Sequence, residues 1–341
     1  MTKVLVTGAA GFMGSHVADA CLNLGFEVHG IDDLSGGFLE NVPADVRFAQ
    51  LSLLDAKALD ELVRREQFRY IYHLAAYAAE GLSHFIRRFS YTNNVIGSAN
   101  VINASVRHDV DCVVFTSSIA VYGAGQTPMK ESILPRPEDP YGIAKYAVEQ
   151  DLAAAMRVFG LRHVIFRPHN VYGERQNIAD RYRNVLGIFF RQALTGEPFT
   201  IFGDGLQTRA FTCIGDIAPV IGGAPLVDAA LGRTFNIGSD EIRTVIDVAK
   251  LIADVMDVPL RVRHLPARSE VVHAFSDHGL AREVFGTFAV TTLDAGVRKM
   301  ADWVKRTGLR HEVEFRALEV EKNLPEIWRR DGGGSREVRV T

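Results

Sequence analysis

A tyrosine, a lysine, a serine and an aspartate, set among regularly spaced glycines, hold most of the chemistry that this sequence offers. Tyr141 and Lys145 stand four residues apart in Tyr-Gly-Ile-Ala-Lys, a spacing that puts both on one face of a helix. An ammonium beside a phenol favours the phenolate, drawing the tyrosine below its usual pKa of about 10. Such a tyrosine can take a proton from an alcohol at neutral pH. Ser118 ends Thr116-Ser117-Ser118, directly after the strand-like Val113-Val114-Phe115, and could hydrogen-bond the same alcohol oxygen. Taken alone, Tyr-x-x-x-Lys equally describes an exposed helix pair. It gains force from what surrounds it.

Near the start, Thr7-Gly8-Ala9-Ala10-Gly11-Phe12-Met13-Gly14 spaces its glycines as G-x-x-G-x-x-G. A Cβ at these positions would block the tight turn, the approach of backbone to a pyrophosphate, and the contact of helix with sheet. A strand-like run precedes the turn, and a helical pattern follows with Val17, Cys21 and Leu24 on one face. The helix N-terminus offers free N–H groups and partial positive charge to phosphate. Asp32 ends the next apolar run, 18 residues beyond Gly14. Its carboxylate can accept from both hydroxyls of an adenosine ribose and would repel a 2′-phosphate. No Arg or Lys follows in Asp33–Gly37 to reverse that. A turn with three convenient glycines is the plain alternative, but strand, helix and acid in this order point to a dinucleotide, NAD rather than NADP.

These groups need a scaffold that brings them to one edge. Short runs that are apolar throughout (Val4–Val6, Val28–Ile31, Tyr70–Leu74, Val113–Phe115, Val164–Phe166) alternate with helical patterns near 94–107 and 141–159. Runs of that kind suit a parallel sheet covered on both faces. The expected fold class is α/β: a Rossmann-type doubly wound parallel sheet over residues 1–170, with a smaller C-terminal α/β substrate lobe over 171–330, the boundaries interleaved. Arg183–Thr195, Phe199–Phe202 and Thr234–Ile237 read as helix, strand and strand, and 331–341 as a mobile tail. The most apolar later stretch, Ile214 to Gly232, is broken by Asp216, Pro219, Pro225 and Asp228, so it cannot span a bilayer. With a strand starting at once and no room for a signal peptide, a cytoplasmic protein is expected.

Composition narrows the partners. The 341 residues include 38 basic and 41 acidic side chains, a net charge of −3, which gives no electrostatic reason to bind nucleic acid or anionic lipid. Three cysteines without a Cys-x-x-Cys pair and eleven histidines without a His-x-His grouping suggest neither disulfide framework nor metal site.

The sequence resembles the extended short-chain dehydrogenase/reductase superfamily, in its nucleotide-sugar epimerase branch typified by UDP-glucose 4-epimerase. The likeness rests on TGAAGFMG at 7–14, HLAA at 73–76, NNVIGS at 93–98, TSSIAVYG at 116–123, YGIAK at 141–145, RPHNVYG at 167–173 and IFGDGLQTRAF at 201–211. It covers about residues 3–325. The resemblance implies that Ser118, Tyr141 and Lys145 form a catalytic triad. NAD would rest on Gly8, Gly11, Phe12, Met13 and Gly14, with Asp32 on its ribose, Tyr141 and Lys145 also touching it. Ser52 and Leu53 would lie by the adenine, Ser52 replacing the family's usual aspartate, while Leu74, Ala75 and Ala76 line the cofactor channel and Asn94 orders the site. Asn170 would touch the UDP-sugar, and Arg209 and Arg268 would clamp its diphosphate, as guanidinium groups suit phosphate. Arg268 also reads as a surface ion-pair residue. The helices near 94–107 and 141–158 would pair across a homodimer.

For the reaction, the resemblance implies oxidation of a sugar C4 hydroxyl to a ketone and return of the same hydride to the opposite face. Related dehydratases carry an Asp-Glu pair before the VYG element, and related decarboxylases a glutamate; here those places hold Ile119-Ala120. That leaves C4 epimerisation, with UDP-glucose/UDP-galactose first. Related UDP-glucuronate 4-epimerases carry Arg-Pro-Asp-Met where this chain has Gln176-Asn177-Ile178, although Arg175, Arg181 or Arg183 could substitute. UDP-glucuronate therefore ranks second, and a small Ala274 leaves room for UDP-N-acetylhexosamines. A net oxidoreductase or dehydratase, and a non-catalytic dinucleotide sensor, are the readings from other classes.

Overall fold

A computed structural model describes residues 1–125, 127–180, 182, 184–267, 272–310, 318–325 and 328. Seven strands form its main sheet: Lys3–Thr7 (β1), Glu27–Asp32 (β2), Arg47–Gln50 (β3), Tyr70–His73 (β4), Cys112–Thr116 (β5), Arg162–Pro168 (β6) and an edge strand, Arg233–Ile237. Their spatial order is edge strand, β6, β5, β4, β1, β2, β3, and every pair is parallel. All C-terminal ends therefore meet one rim. The strand order reverses between β1 and β4, where a doubly wound sheet opens its binding crevice.

The apolar runs work as both-face strands. Along β1, Val4 and Val6 join a core with Val17 and Cys21 of the first helix, Phe12–Asn23 (α1), and Ile217 and Ile221 of the helix Ile214–Gly223. Leu5, between them, joins the opposite core with Leu59 and Val63 of Ala56–Glu66, Val101 of Gly97–Arg107, and Val148 and Leu152 of Pro140–Phe159. The period of two in a strand thus fills both layers at once. The helix Ile214–Gly223 continues through Pro219, which is exposed, so that ring costs little beyond one backbone hydrogen bond. No described helix is long and apolar enough to cross a membrane.

The second lobe has its own core. Phe189 and Phe190 of Val185–Thr195, Val248 and Ile252 of Val245–Met256, and Val297 and Met300 of Leu293–Thr307 pack around Phe199 and Ile201. Phe199–Phe202 pairs with Val262–Leu265, and Thr208–Ala210 with Ile242–Thr244 and His273–Ala274. Ile214–Gly223 packs on the core that holds β1 and α1, and Arg233–Ile237 extends the main sheet beside β6. The expected helix from Arg183 starts at Val185, capped by the Asn184 side chain on Gly187 N–H. The tail 331–341 lies outside the described residues.

Helix Leu293–Thr307 sits close on the lobe because position 296 is glycine; a Cβ there would lie 2.0 Å from the Tyr172 hydroxyl oxygen. That hydroxyl is buried and has no hydrogen-bond partner among the described residues. Gly296→Ala should therefore cost about 1–3 kcal/mol by overpacking, read by urea denaturation. Tyr172→Phe should be near neutral alone and should recover part of the loss in the double variant.

Candidate active site

The glycine turn is built by close backbone contacts. Gly8, at φ +73°, donates its N–H to Ile31 O at 2.8 Å, and Gly11 N–H reaches back to Gly8 O at 2.9 Å. A Cβ on Gly14 would sit 1.9 Å from Gly8 O, so only glycine lets α1 begin directly beneath the turn. Gly11 is the N-cap of α1 and supplies no side-chain cap, which leaves helix N–H groups aimed at the crevice. Asp32 stands at the end of β2, its carboxylate accepting from Ala10 N–H at 3.1 Å and Leu34 N–H at 2.8 Å. Burial raises its pKa against the pull of those N–H groups. Asp33 is exposed and turns to Ser35 N–H. An uncapped helix end, close backbone and an acid at the next strand end fit a dinucleotide.

The other half of the site is the seating of helix Pro140–Phe159 on the end of β5. Asp139 caps that helix, accepting from Gly142 N–H at 3.0 Å and from Ser83 Oγ at 3.2 Å. Ser118 caps the short turn Ile119–Tyr122, its Oγ accepting from Ala120 N–H at 3.1 Å. Helix and turn nearly touch: a Cβ on Gly142 would lie 2.6 Å from Ala120 O. Tyr141 and Lys145 are 9% and 3% exposed. Lys145 Nζ donates to Thr116 O at 2.7 Å and lies 5.8 Å from the Tyr141 ring centroid. Burial, partly offset by the charge of Glu149, brings the Lys145 ammonium down to about 7.

Asn94 lies in a π-turn, Thr92–Ile96, and fastens the loop after β4, its Oδ1 accepting from Tyr77 N–H at 2.8 Å and its Nδ2 donating to Tyr77 O at 3.1 Å. Ser118, Tyr141 and Lys145 face a single cleft of about 1710 Å³ together with the glycine turn. Phe12, Met13, Ser52 and Leu53 line the same cleft, as do Leu74, Ala75 and Ala76. Its size exceeds a typical single-ligand pocket, which leaves space for a cofactor and a substrate together.

On the substrate side, Asn170 holds φ +40° and donates its amide to Ala210 O at 3.0 Å. Arg209 Nη1 donates to Thr208 O and Val272 O at 2.9 and 2.8 Å. Both side chains, and Ala274, line the cleft. Arg268, Arg181 and Arg183 lie outside the described residues. Arg175 lines the cleft and is paired with Asp19 at 2.6 Å. Sequence reasoning missed Arg263, which reaches the cleft from Val262–Leu265, and Trp328, which lines it and packs edge-on against Phe85 and Tyr182. The alternation of polar and apolar residues in Arg261-Val262-Arg263 marks a strand but not its arrival at the cleft, and nothing periodic marks Trp328. Among the described residues no group of His, Cys, Asp or Glu could hold a metal ion. The three cysteines are buried, and burial pushes Cys21 and Cys112 up to about 12, far from thiolate reactivity.

A Rossmann sheet whose crevice carries a glycine turn on one side and Ser, Tyr and Lys on the other defines a dinucleotide-dependent enzyme of the short-chain dehydrogenase/reductase type. Comparison narrows the class. The chain matches the NAD dependent epimerase/dehydratase family over residues 4–238 and belongs to that family. It is 31% identical over 310 residues to a putative UDP-glucose 4-epimerase of Methanocaldococcus jannaschii, covering 89% of this chain and 98% of that protein. The crystal structure of UDP-glucose 4-epimerase from Thermotoga maritima with UDP-glucose superposes with a TM-score of 0.84 at 31% identity, covering 90% and 99% of the two chains. UDP-glucuronic acid 4-epimerase from Bacillus cereus, in complex with UDP-glucuronic acid and NAD, gives 0.82 at 27% identity, covering 89% and 99%. The protein is thus a NAD-dependent enzyme of the nucleotide-sugar epimerase family.

Gly14→Val should abolish NAD retention, because its side chain must displace Gly8 from the turn. The check is nucleotide released on denaturing the purified protein, with circular dichroism confirming the fold; NAD at the wild-type level would contradict the assigned cradle.

Proposed function

We propose that the protein is a UDP-glucose/UDP-galactose 4-epimerase. Ser118, Tyr141 and Lys145 converge on one cleft with the dinucleotide turn, and the turn after Ser118 offers only Ile119 and Ala120, without an acid–base group for dehydration or decarboxylation. That pairing carries the reading. When bound, NAD supplies a reversible acceptor for the carbon-bound hydrogen of the alcohol. Tyr141 takes the proton of the C4 hydroxyl, Ser118 holds the same oxygen, and Lys145 supports the phenolate. The resulting 4-keto sugar presents its other face, and Tyr141 gives the proton back. Asn94 keeps the loop after β4 in place through Tyr77. Asp32 receives the adenosine ribose, with Ser52 and Leu53 beside the adenine, and Asn170 and Arg209 hold the nucleotide sugar.

UDP-N-acetylhexosamine is the second reading, favoured by the small Ala274 on the cleft wall. UDP-glucuronate loses support because Arg175 is engaged by Asp19 and the Asn177 amide turns to Gly36 O at 3.4 Å. A homodimer through Thr92–Ile96, the helix Gly97–Arg107 that continues it, and Pro140–Phe159 fits the exposed Ile96 and Ile143.

Purified protein given UDP-galactose without added NAD should yield UDP-glucose. No UDP-glucose, even with NAD supplied, would exclude that substrate, and parallel assays with UDP-glucuronate and UDP-N-acetylglucosamine separate the alternatives. Tyr141→Phe should cut kcat by about 10²–10⁴-fold, the range for a lost general base, and leave bound NAD unchanged.

A further inference from the structure

Beneath the catalytic residues lies a buried polar chain that the proposed reaction does not use. Glu149 follows Lys145 by one helical turn and Tyr141 by two, and it is 4% exposed. Its Oε1 accepts from Ser117 Oγ at 2.5 Å and from Arg167 Nε at 2.9 Å; its Oε2 accepts from Arg167 Nη2 at 2.5 Å. Arg167 Nη1 goes on to the Tyr122 hydroxyl at 2.8 Å, and the guanidinium lies 4.7 Å from that ring's centroid. Tyr122 donates to Asn236 Oδ1 at 2.8 Å, and the Asn236 amide donates to Met129 O at 3.0 Å. The chain therefore ties helix Pro140–Phe159 to β5, β6, the edge strand and the loop through Met129.

The places where it grips bear on catalysis. Consecutive residues at the end of β5 meet the same helix: Thr116 O accepts from Lys145 Nζ, Ser117 Oγ donates to Glu149, and Ser118 opens the turn whose Ala120 O lies against Gly142. Ser117 and Tyr122 are fixed on either side of Ser118, the first by Glu149 and the second by Arg167. Among the described residues, Glu149 supplies the charge that raises the affinity of buried Lys145 for its proton, while His73 and Tyr141 also face the ammonium and Arg167 stands behind Glu149. Burial works against the charge of Arg167, yet its bonds to Glu149 hold the guanidinium firmly protonated.

We propose that Glu149 is a positioning residue with two separable effects: with Arg167 and Ser117 it locks Ser118 against the Tyr141–Lys145 helix, and with its charge it keeps Lys145 an ammonium. This rests on the assignment of Tyr141 and Lys145 to catalysis. A buried bidentate pair adds little net stability over an apolar substitute, so fixing geometry and charge is its distinguishing contribution.

The experiment uses the NAD-bound enzyme and the variants Glu149→Gln, Glu149→Asp and Ser117→Ala. Labelled lysine followed by NMR, with the Lys145 signal assigned by its loss in Lys145→Arg, gives the Lys145 titration midpoint without any turnover. Glu149→Gln should move that midpoint down by at least about half a pH unit and shift the matching limb of the kcat profile the same way. The sign follows from losing a negative charge that favours the ammonium. Glu149→Asp should leave the midpoint near wild type and lower kcat about tenfold at every pH, with KM changed less than about twofold, as expected for displaced reacting groups. Ser117→Ala, the mildest change, should lower kcat severalfold with the midpoint unmoved.

An unmoved midpoint in Glu149→Gln overturns the charge effect. Wild-type kcat in Ser117→Ala and Glu149→Asp, with only the melting temperature reduced, overturns the clamp. If Glu149→Gln does not fold, Glu149→Asp and Ser117→Ala still decide the clamp, and the proposal stands or falls on them. A wild-type enzyme inert toward every UDP-sugar tested would defeat the epimerase reading, while the Lys145 midpoint would still report on Glu149.

Discussion

The site depends on one contact: helix Pro140–Phe159 seated on the C-terminal end of β5. Lys145 reaches down to Thr116 O, and Gly142 lets the helix approach the Ser118 turn to a distance that no side chain would allow. Asp139 fixes where the helix begins and, through Ser83, where the neighbouring short helix lies. Moving the helix by an ångström would break the bond of Lys145 to Thr116 O while leaving every strand of the sheet intact. The fold as a whole is tolerant; this junction is not.

The electrostatics of the junction run against simple stability. A lysine with 3% exposure has given up most of its hydration, and burial, partly offset by the charge of Glu149, carries it to about 7. An ordinary surface lysine stays charged well above that pH. Strongly shifted groups gather where proton transfer takes place, and here the shift has an evident structural source, the covering of one helix face by the end of β5. Three features of this rim all resist random packing: an uncapped helix start at Gly11, an acid at Asp32 and an ammonium at Lys145. Together they suit a bound partner that brings phosphate, ribose and a reactive ring.

Much of this was legible in the residues. The glycine spacing, the acid after β2, the serine after β5 and the Tyr-Lys pair depend on local order, and local order is what a sequence displays. Runs such as Val4–Val6 and Val113–Phe115 announced buried parallel strands because they lack alternation. The strand Arg47–Gln50 escaped notice: it lies at the sheet edge, it is mostly exposed, and Arg-Phe-Ala-Gln reads as polar chain. Glu149 and Arg167 escaped because they sit 18 residues apart in an ordinary helix and an ordinary strand, and only the crossing of those elements joins them. Arg263 is likewise brought to the cleft by pairing with Phe199–Phe202. Long-range meetings of polar side chains leave no periodic trace.

The edge strand Arg233–Ile237 has a consequence for how the molecule is made. It completes the sheet by pairing with β6, whose last residue precedes it by 65 positions. During synthesis on the ribosome, β6 emerges long before its neighbour, and its outer backbone groups stay unpaired until the intervening lobe has been translated. An unpaired parallel strand of this kind is a template for wrong partners. The nascent chain therefore passes through an interval in which the cofactor half is nearly whole but open along one flank, the stage at which chaperone protection would matter most.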